Sequence, residues 1–515
     1  MGLCAACGPT EPQKRQARRQ LGDKMQQLSG QDASFLYFEM PNAPMHIGSF
    51  SIYDPSTTGR EVQRFKDILS YMEQRLHLAR CFRQKLAMVP LGLDHPWWIE
   101  DPNFDLEYHV RHIALPKPGD WRQLCILAAR LHSIPLDRNK PLWEYYVIEG
   151  LDNIEGLPEG AYATLIKIHH AAIDGVSGAE ITAALHDLSA DPGNVPPPAK
   201  PWVPDRMPLD AELMARAVGN NARIPFRFAD VASSTVPAVG RIARGLMRRE
   251  LQVPSGRVPR TRFNGPVSPH RVVEGRSFKL DDVKTIKNAV HGATINDAVL
   301  AIVGGALRRY LDHHGELPDD QLKAMAPISI RTEDQRKAAG NQVSAMIVGL
   351  GSHIADPVER LGHVHTGSAQ SKLMTQAIGA SLMTDYQQFL PGATAGLAAR
   401  MWTGMQLANR VRPPFNCVVT NIPGPQIPLF SAGAKMHAFY GLGPILDGMA
   451  LIHPVFSYCG EISISFTSCR QIMPDPAFYA ECLQQSFEEL LEAASAVQPP
   501  KPTRDRAGAK MKAAE

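Results

Sequence analysis

The segment HHAAIDG at residues 169–175 decides the fold and most of the functional interpretation. It directly follows residues 161–168, an apolar run with the length and composition of a strand. A segment of helical character opens at Gly175. His169 and His170 are therefore predicted at a strand-to-helix turn, where loop side chains can face a cleft. Strands that alternate with helices indicate an α/β fold class.

The rest of the chain alternates between strand-like and helix-like patterns. In the first half, residues 45–53 and 141–148 are patterned as strands, whereas 61–86 and 121–131 have helical spacing. In the second half, Thr294 is a predicted N-cap for a helix that continues to Tyr310. Further strands are predicted at 327–330, 344–350, 415–420, 436–442 and 462–466, and a closing helix at 476–497.

Length and proline content predict how the chain is divided. A chain of 515 residues exceeds what one hydrophobic core usually organises, so two or three domains are expected. The prolines between Pro192 and Pro204 mark a boundary because proline interrupts both helices and strand ladders. The predicted parts are a flexible basic extension (1–27), an N-terminal domain (28–190), a Pro-rich linker with a helical crossover (191–277), a C-terminal domain (278–498) and a disordered tail (499–515).

Composition narrows the class of protein. With 44% hydrophobic residues, 20% charged residues and a net charge of +3, the chain has a globular composition and lacks the basic stripe of a nucleic-acid-binding protein. Eight scattered cysteines favour a reducing cytoplasm. No run approaches the roughly 18 apolar residues of a spanning helix, so any membrane contact is predicted to be peripheral. The arginines of 208–250 either bind an anionic membrane surface or form the solvated face of a linker helix.

The double histidine can support acid–base chemistry. A neutral imidazole accepts a proton near physiological pH, and general-base catalysis typically contributes about 100-fold to 10,000-fold. Asp174 can fix the turn through a hydrogen bond or an arginine, and Gly175 allows backbone angles closed to other residues. Two alternatives remain from the residues alone: hydrogen-bonding groups in a buried turn, or a metal site, for which the spacing suggests no third ligand.

Residues 169–175 resemble the HHxxxDG signature of the CoA-dependent acyltransferase superfamily. Other segments make the chain similar to the bacterial wax ester synthase/diacylglycerol acyltransferases over roughly residues 28–495. These segments are 28–38 with Pro44-Met45-His46-Ile47-Gly48, 101–109, Pro135-Leu136-Asp137-Arg138 before Pro141-Leu142-Trp143-Glu144, Asn296-Asp297, and Asn421-Ile422-Pro423-Gly424-Pro425.

The resemblance implies two chloramphenicol-acetyltransferase-like domains, each a mixed sheet with flanking helices, joined by a helical crossover and enclosing a tunnel at their interface. It makes His170 the proton acceptor in a direct transfer that needs neither an acyl-enzyme nor a metal or other cofactor. His169, Asp174 and Gly175 would then support the turn. Arg83 and Arg331 are both candidates for an arginine that pairs with Asp174.

The resemblance also implies a site in the second half. Asn296 and Asp297 open its predicted first long helix, where their side chains can line the active site and shape the reacting centre. Capping of the helix N-terminus is an equally open interpretation of both residues.

The implied activity moves a long-chain acyl group from acyl-CoA to diacylglycerol, to a long-chain alcohol, or to both. The expected location is cytoplasmic, peripherally on the inner face of the plasma membrane or on lipid droplets. No nucleic acid is expected as partner, and the sequence assigns no oligomeric state. The alternatives are a glycerolipid-type H-x4-D acyltransferase with His169 as base, a condensation-type or other HHxxxDG enzyme, and a non-catalytic protein that binds acyl lipids or droplet surfaces.

Overall fold

A computed structural model describes residues 25–59, 65–173, 178–191, 193, 195–198, 202–226, 228–229, 233, 244, 247–248, 257–329, 343–378 and 392–497. The predicted tail 499–515 lies outside these residues, and so do residues 1–24 of the predicted extension. The last residues of that extension are structured, because Gln26 and Gln27 pair with Trp98 and Trp97 in a small sheet. Polar residues of this kind join a strand through backbone hydrogen bonds, which leave no apolar pattern in the sequence.

The described residues form strands and helices in alternation. The strands are β1 (Gln26–Gln27), β2 (His46–Asp54), β3 (Gln84–Ala87), β4 (Trp97–Glu100), β5 (Val110–Ala114), β6 (Trp143–Glu149), β7 (Tyr162–His169), β8 (Arg271–Lys279), β9 (Lys323–Ser329), β10 (Val343–Gly349), β11 (Cys417–Pro423), β12 (Phe430–Ser431), β13 (Ala434–Leu442), β14 (Ile452–Tyr458) and β15 (Glu461–Cys469). The helices are α1 (Gly30–Phe38), α2 (Phe65–Glu73), α3 (Leu106–His109), α4 (Trp121–Ser133), α5 (Gly178–Leu185), α6 (Asp210–Asn221), α7 (Leu280–Asn288), α8 (Ile295–His313), α9 (Pro357–Ile378), α10 (Gly392–Gly404) and α11 (Pro476–Ala496).

Two six-stranded sheets organise the two halves. The first has the order β12-β13-β2-β7-β6-β5 and the second has the order β10-β9-β11-β14-β15-β8. Both are mixed, because β5 pairs in parallel with β6, and β11 pairs in parallel with β9 and β14, whereas the other pairs are antiparallel. The sequence-based prediction of an α/β fold with two mixed sheets is therefore confirmed.

The first sheet is completed by strands from the second half of the chain. β13 pairs antiparallel with β2, from Lys435 opposite Asp54 to Leu442 opposite Gly48. The alternation of residues 436–442 predicts the strand, but a pattern of period two carries no information about which sheet the strand joins. The halves are thus linked by a shared sheet as well as by the linker. The second sheet also includes β8, which begins at Arg271, before the predicted domain start at 278.

The cores follow from these sheets. Helix α8 is buried along most of its length and packs against α11 in the core of the second half. The first sheet buries one face against α4 and the other against α1 and α2. β7 lies between β2 and β6 in this sheet, and His46 of β2 is directly opposite His169. The double histidine therefore lies at the end of a central strand.

The described part of the 208–250 segment contains a packed helix. Leu213 of α6 packs against the small sheet β1-β4-β3, Ala217 is buried, and the Arg216 guanidinium lies 5.0 Å from the Trp97 ring centroid. Arg223 beyond the helix is exposed. Within the described residues, α6 therefore has one face on the protein and a basic residue beyond its end. None of the helices within the described residues is long and apolar enough to cross a membrane.

Candidate active site

The double histidine is held by backbone bonds on both sides. β7 ends at His169, and a short turn of 3-10 helix covers His170–Ile173. The His169 amide donates to the Leu142 carbonyl oxygen at 2.9 Å, and the His170 amide donates to the Met45 carbonyl oxygen at 2.9 Å. The chain therefore leaves the sheet with each histidine tied to a different neighbouring segment.

His169 is fully buried, with one ring nitrogen bonded to the backbone and the other facing a carboxylate. Nδ1 accepts a hydrogen bond from the Ala171 amide at 3.1 Å, and Nε2 lies 3.6 Å from the Glu39 carboxylate. Because an amide can only donate, a neutral His169 must carry its proton on Nε2, facing Glu39. The lone pair of this ring is thus used by the backbone.

Glu39 connects His169 to an arginine. Arg138 donates to the Glu39 carboxylate through Nε at 2.8 Å and to the Leu36 carbonyl oxygen at 2.9 Å, and the Met45 amide donates to Oε1 at 3.3 Å. Burial raises the pKa of Glu39, but its neighbours His169 and then Arg138 lower it to about 2. Glu39 is therefore ionised at neutral pH and holds His169 and Arg138 around it.

His170 lies against an aromatic ring. Its imidazole stacks on Phe35 with ring centroids 3.8 Å apart and planes 12° from parallel. Burial lowers the pKa of His170 to about 4; contact with its own backbone raises it, and the neighbouring His169 lowers it further. His170 is therefore neutral at physiological pH and can accept a proton. Nδ1 is buried without a hydrogen-bond partner among the described residues.

One helix supports both histidines. Phe35 belongs to α1 and Glu39 is its C-cap, so α1 provides the ring on His170 and the carboxylate beside His169. Sequence reasoning did not single out either residue as part of the site. The sequence feature that could have identified Glu39 is its position as a single carboxylate between an apolar helical segment and the strand at residues 45–53. Such a residue requires a buried cationic or hydrogen-bonding partner.

Asp297 has a capping role in the structure. Its carboxylate accepts from the Thr294 amide and hydroxyl, each at 2.9 Å, while the Asp297 amide donates to the Thr294 hydroxyl at 3.2 Å. The other partner of the carboxylate is Nδ1 of His365 on α9, at 3.0 Å. Within the described residues these bonds join Asp297 to Thr294 and His365, and none joins it to the double histidine. Asn296 is half-buried beside it.

Several predicted residues lie outside the described residues. Asp174, Gly175 and Arg331 are among them, so the geometry around His170 is described without these three residues. Arg83 is described; its guanidinium lies 5.0 Å from the Trp202 ring centroid, and burial lowers its pKa. Among the described residues, no group of three or more His, Cys, Asp or Glu side chains could hold a metal ion.

Beneath the turn, the same sheet buries an ion pair. The Lys167 ammonium is fully buried, 2.8 Å from the Glu144 carboxylate, and donates to the Ile134 carbonyl oxygen at 3.0 Å. His46 lies close by, and its Nε2 is 2.7 Å from the carbonyl oxygen of His132. Burial lowers the pKa of His46, and the positive charge of Lys167 contributes to the same shift. The sheet next to His169 therefore buries an ion pair and a second histidine in its core.

Comparison with known proteins identifies relatives along most of the chain. Residues 28–299 match the wax ester synthase/diacylglycerol acyltransferase catalytic domain, and residues 339–491 match the WS/DGAT C-terminal domain. A putative diacylglycerol O-acyltransferase of Mycobacterium tuberculosis is 35% identical over 471 residues, which are 91% of this chain and 90% of that protein. A probable diacylglycerol O-acyltransferase of the same species is 32% identical and covers 90% of this chain and 98% of that protein.

Solved structures share the fold. The wax ester synthase/diacylglycerol acyltransferase from Marinobacter aquaeolei superposes with a TM-score of 0.64 at 24% identity, covering 91% of this chain and 99% of that one. The starter condensation domain of rhizomide synthetase, solved with C8-CoA and Leu-SNAC, superposes with a TM-score of 0.52 at 13% identity, covering 95% and 98%. These matches confirm the predicted chloramphenicol-acetyltransferase-like architecture.

Proposed function

Because the chain belongs to the wax ester synthase/diacylglycerol acyltransferase family, we propose that it moves a long-chain acyl group from acyl-CoA to the hydroxyl of diacylglycerol, of a long-chain alcohol, or of both. Membership makes the protein an acyltransferase, as its sequence predicted. Diacylglycerol is the first acceptor to test because the mycobacterial relatives are named diacylglycerol O-acyltransferases. A long-chain alcohol is the second, as the name of the family states.

The proposed mechanism uses His170 as general base. Nε2 takes the proton of the acceptor hydroxyl while the oxygen attacks the thioester carbonyl carbon. The tetrahedral intermediate then collapses, the carbon–sulfur bond breaks, and the imidazolium returns the proton to the CoA sulfur. The single observation that carries this proposal is the neutral His170 ring at the end of β7, stacked on Phe35 with Nδ1 buried. A neutral ring starts the reaction in the state that accepts a proton.

The geometry favours His170 over His169 as the base. His169 is fully buried and its Nδ1 lone pair already accepts a hydrogen bond from the Ala171 amide. Its other nitrogen faces the ionised Glu39, and a base needs a free lone pair within reach of the substrate. We therefore assign His169 a supporting role. The same role is proposed for Asp174 and Gly175, and Asn296 and Asp297 are proposed to line the active site from the second half.

The location of the two substrates is also a proposal. We infer that acyl-CoA and the acceptor meet between the N-terminal part (28–190) and the C-terminal part (278–498), which the linker and crossover (191–277) join. The sharing of β12 and β13 with the first sheet supports this, because it brings the second half against the end of β7. Acceptors of this kind are apolar, so the enzyme is proposed to work at the inner face of the plasma membrane or at a lipid droplet.

The function is tested by offering labelled palmitoyl-CoA with dioleoylglycerol and with hexadecanol in separate reactions and identifying the ester. Labelled triacylglycerol or wax ester is the expected product, and the acceptor that reacts with the higher kcat/KM names the main activity. When His170 is replaced by alanine in this assay, His313→Ala serves as the control, since His313 is exposed and lies at the end of α8. Binding of lipid without ester formation by the folded wild-type protein would favour the non-catalytic alternative.

A further inference from the structure

An unusual number of large apolar side chains is exposed next to the helix that covers His170. Leu91 is 81% exposed, and Val218 of α6 is 66% exposed. Leu397, Met401 and Met405 are 59%, 51% and 48% exposed, and they repeat every four residues along α10 and its last turn, so they share one face of that helix. These five residues are called the docking face below. Contiguous exposed apolar surface in a folded protein marks a site of interaction.

The docking face spans three elements, one of which contacts the other two. The turn Pro90–Gly92, which holds Leu91, contacts both α6 and α10. The α6 side is fixed by the Asn221 side chain, which donates to the Leu93 carbonyl oxygen at 3.0 Å. Leu91 itself has φ +58°, a left-handed conformation that is uncommon for a leucine. The Leu91 side chain thus points outward although its backbone conformation is strained, and no contact with the described core residues compensates for that strain.

Two of the three chain segments that carry the docking face contain arginine and no acidic residue, whereas Asp94 lies three residues after Leu91. Residues 392–446 contain no Asp or Glu, and neither do residues 213–229. Arg400, Arg410, Arg412 and Arg223 are exposed, and within the described part of the chain none of them forms an ion pair. Exposed apolar side chains with exposed arginines in the same segments complement a surface that is apolar inside and anionic at its edge, and an anionic phospholipid layer has that arrangement.

The docking face is also close to the candidate active site. α10 packs along α1, with Gly396 next to the Tyr37 carbonyl oxygen. α1 carries Phe35, which stacks on His170. α10 and α1 therefore both lie between the docking face and the histidine. A lipid layer at this surface would lie on the side of the protein that carries α10 and α1.

We propose that the docking face binds the surface of a phospholipid layer with anionic headgroups and that the acceptor enters the site from there. The proposal rests on the proposed function for the identity of the acceptor, but the binding itself does not. The apolar side chains enter the headgroup region, and the arginines contact lipid phosphates. This is an attachment from one side, with α10 and α1 between the lipid layer and the base.

The test is flotation of the full chain with vesicles of phosphatidylcholine alone or with 30% phosphatidylglycerol. A triple variant, Leu91→Ser, Leu397→Ser and Met401→Ser, is expected to lower vesicle binding by about tenfold or more, since each serine removes apolar area from the interface. Arg400→Gln with Arg412→Gln should weaken binding only to phosphatidylglycerol vesicles and reduce its salt dependence. The control variants Ile134→Ser and Ile427→Ser replace apolar side chains that are 51% and 52% exposed elsewhere in the chain and should bind like wild type.

A second readout separates this proposal from the proposed function. Release of CoA from octanoyl-CoA with water-dissolved hexanol should be the same in wild type and in all variants, because none changes the site. Wild-type flotation by the triple variant, or equal losses in the isoleucine controls, would overturn the docking face. A change of oligomeric state without a change in flotation would also overturn it, in favour of a protein interface. Normal flotation without CoA release would leave the docking face standing and reject the acyltransferase mechanism.

Discussion

Replacing Phe35 should move the acid limit of activity to higher pH. The Phe35 ring covers one face of the His170 imidazole, and burial lowers the pKa of His170 from 6.5 to about 4. This difference corresponds to roughly 3 kcal/mol in the cost of protonating the ring. Because the pKa is lowered, the active neutral form persists as the pH falls and is lost only on passing about 4. Phe35→Ala admits water to one of two ring faces, so we expect the pKa to recover by roughly 1 pH unit.

The assay is kcat/KM measured from pH 8 down to pH 4.5 with one acyl-CoA and one acceptor, which reports the pKa of the free enzyme's base. At pH 5 the wild-type base should be about nine-tenths neutral and the Phe35→Ala base about half neutral, whereas an unperturbed histidine would be only about 3% neutral. Phe35→Leu keeps an apolar cover and should resemble wild type. Thermal melting at each pH checks that all three proteins remain folded. A wild-type limb near pH 6.5, or an unshifted limb in folded Phe35→Ala, would refute the reasoning.

Three further predictions concern the surrounding contacts. Glu39→Gln removes the charge beside His169 and should lower kcat by about tenfold or more with KM for acyl-CoA unchanged, as steady-state kinetics would reveal; a pure KM effect would contradict a positioning role. Thr294→Ala removes the N-cap partner of Asp297 and should cost about 1 kcal/mol in the free energy of unfolding by urea, and an unchanged unfolding midpoint would contradict the capping role. Glu144→Gln leaves the buried Lys167 ammonium without its carboxylate partner and should lower the free energy of unfolding by about 3 kcal/mol or more. The double variant Glu144→Gln with Lys167→Met should recover much of this loss. Equal losses in the single and double variants would count against a buried ion pair.

The sequence was informative where one residue type decides a local structure. Thr294 was predicted as an N-cap, and the structure places it there with its hydroxyl accepting from the Asp297 amide. β7 ends at His169, one residue beyond the predicted strand. The prediction is this close because the change from apolar residues to histidine marks the end of the strand in the sequence. Such features depend on contacts within a few residues, which a sequence pattern records.

The sequence was less informative where contacts are long-range. Phe35 and His170 are 135 residues apart in the chain, and nothing in the pattern of either segment indicates that their rings stack. The placement of β13 beside β2 is decided by register and by the packing of both sheet faces, which an alternating pattern does not encode. For Asp297 the sequence left two roles open, and the structure adds the capping bonds and the contact with His365. Side-chain partners across the fold therefore had to come from the structure.

The most direct test of the central claim is the rate of ester formation by His170→Ala and His169→Ala beside wild type, with each protein shown to be folded and to bind acyl-CoA. His170 as general base predicts that His170→Ala loses about 100-fold or more in kcat while acyl-CoA binding is retained. His169→Ala should retain more activity than His170→Ala, because it removes a support of the turn and leaves the base in place. Near wild-type turnover by folded His170→Ala would contradict the mechanism, and a larger loss in His169→Ala would transfer the role of base to His169.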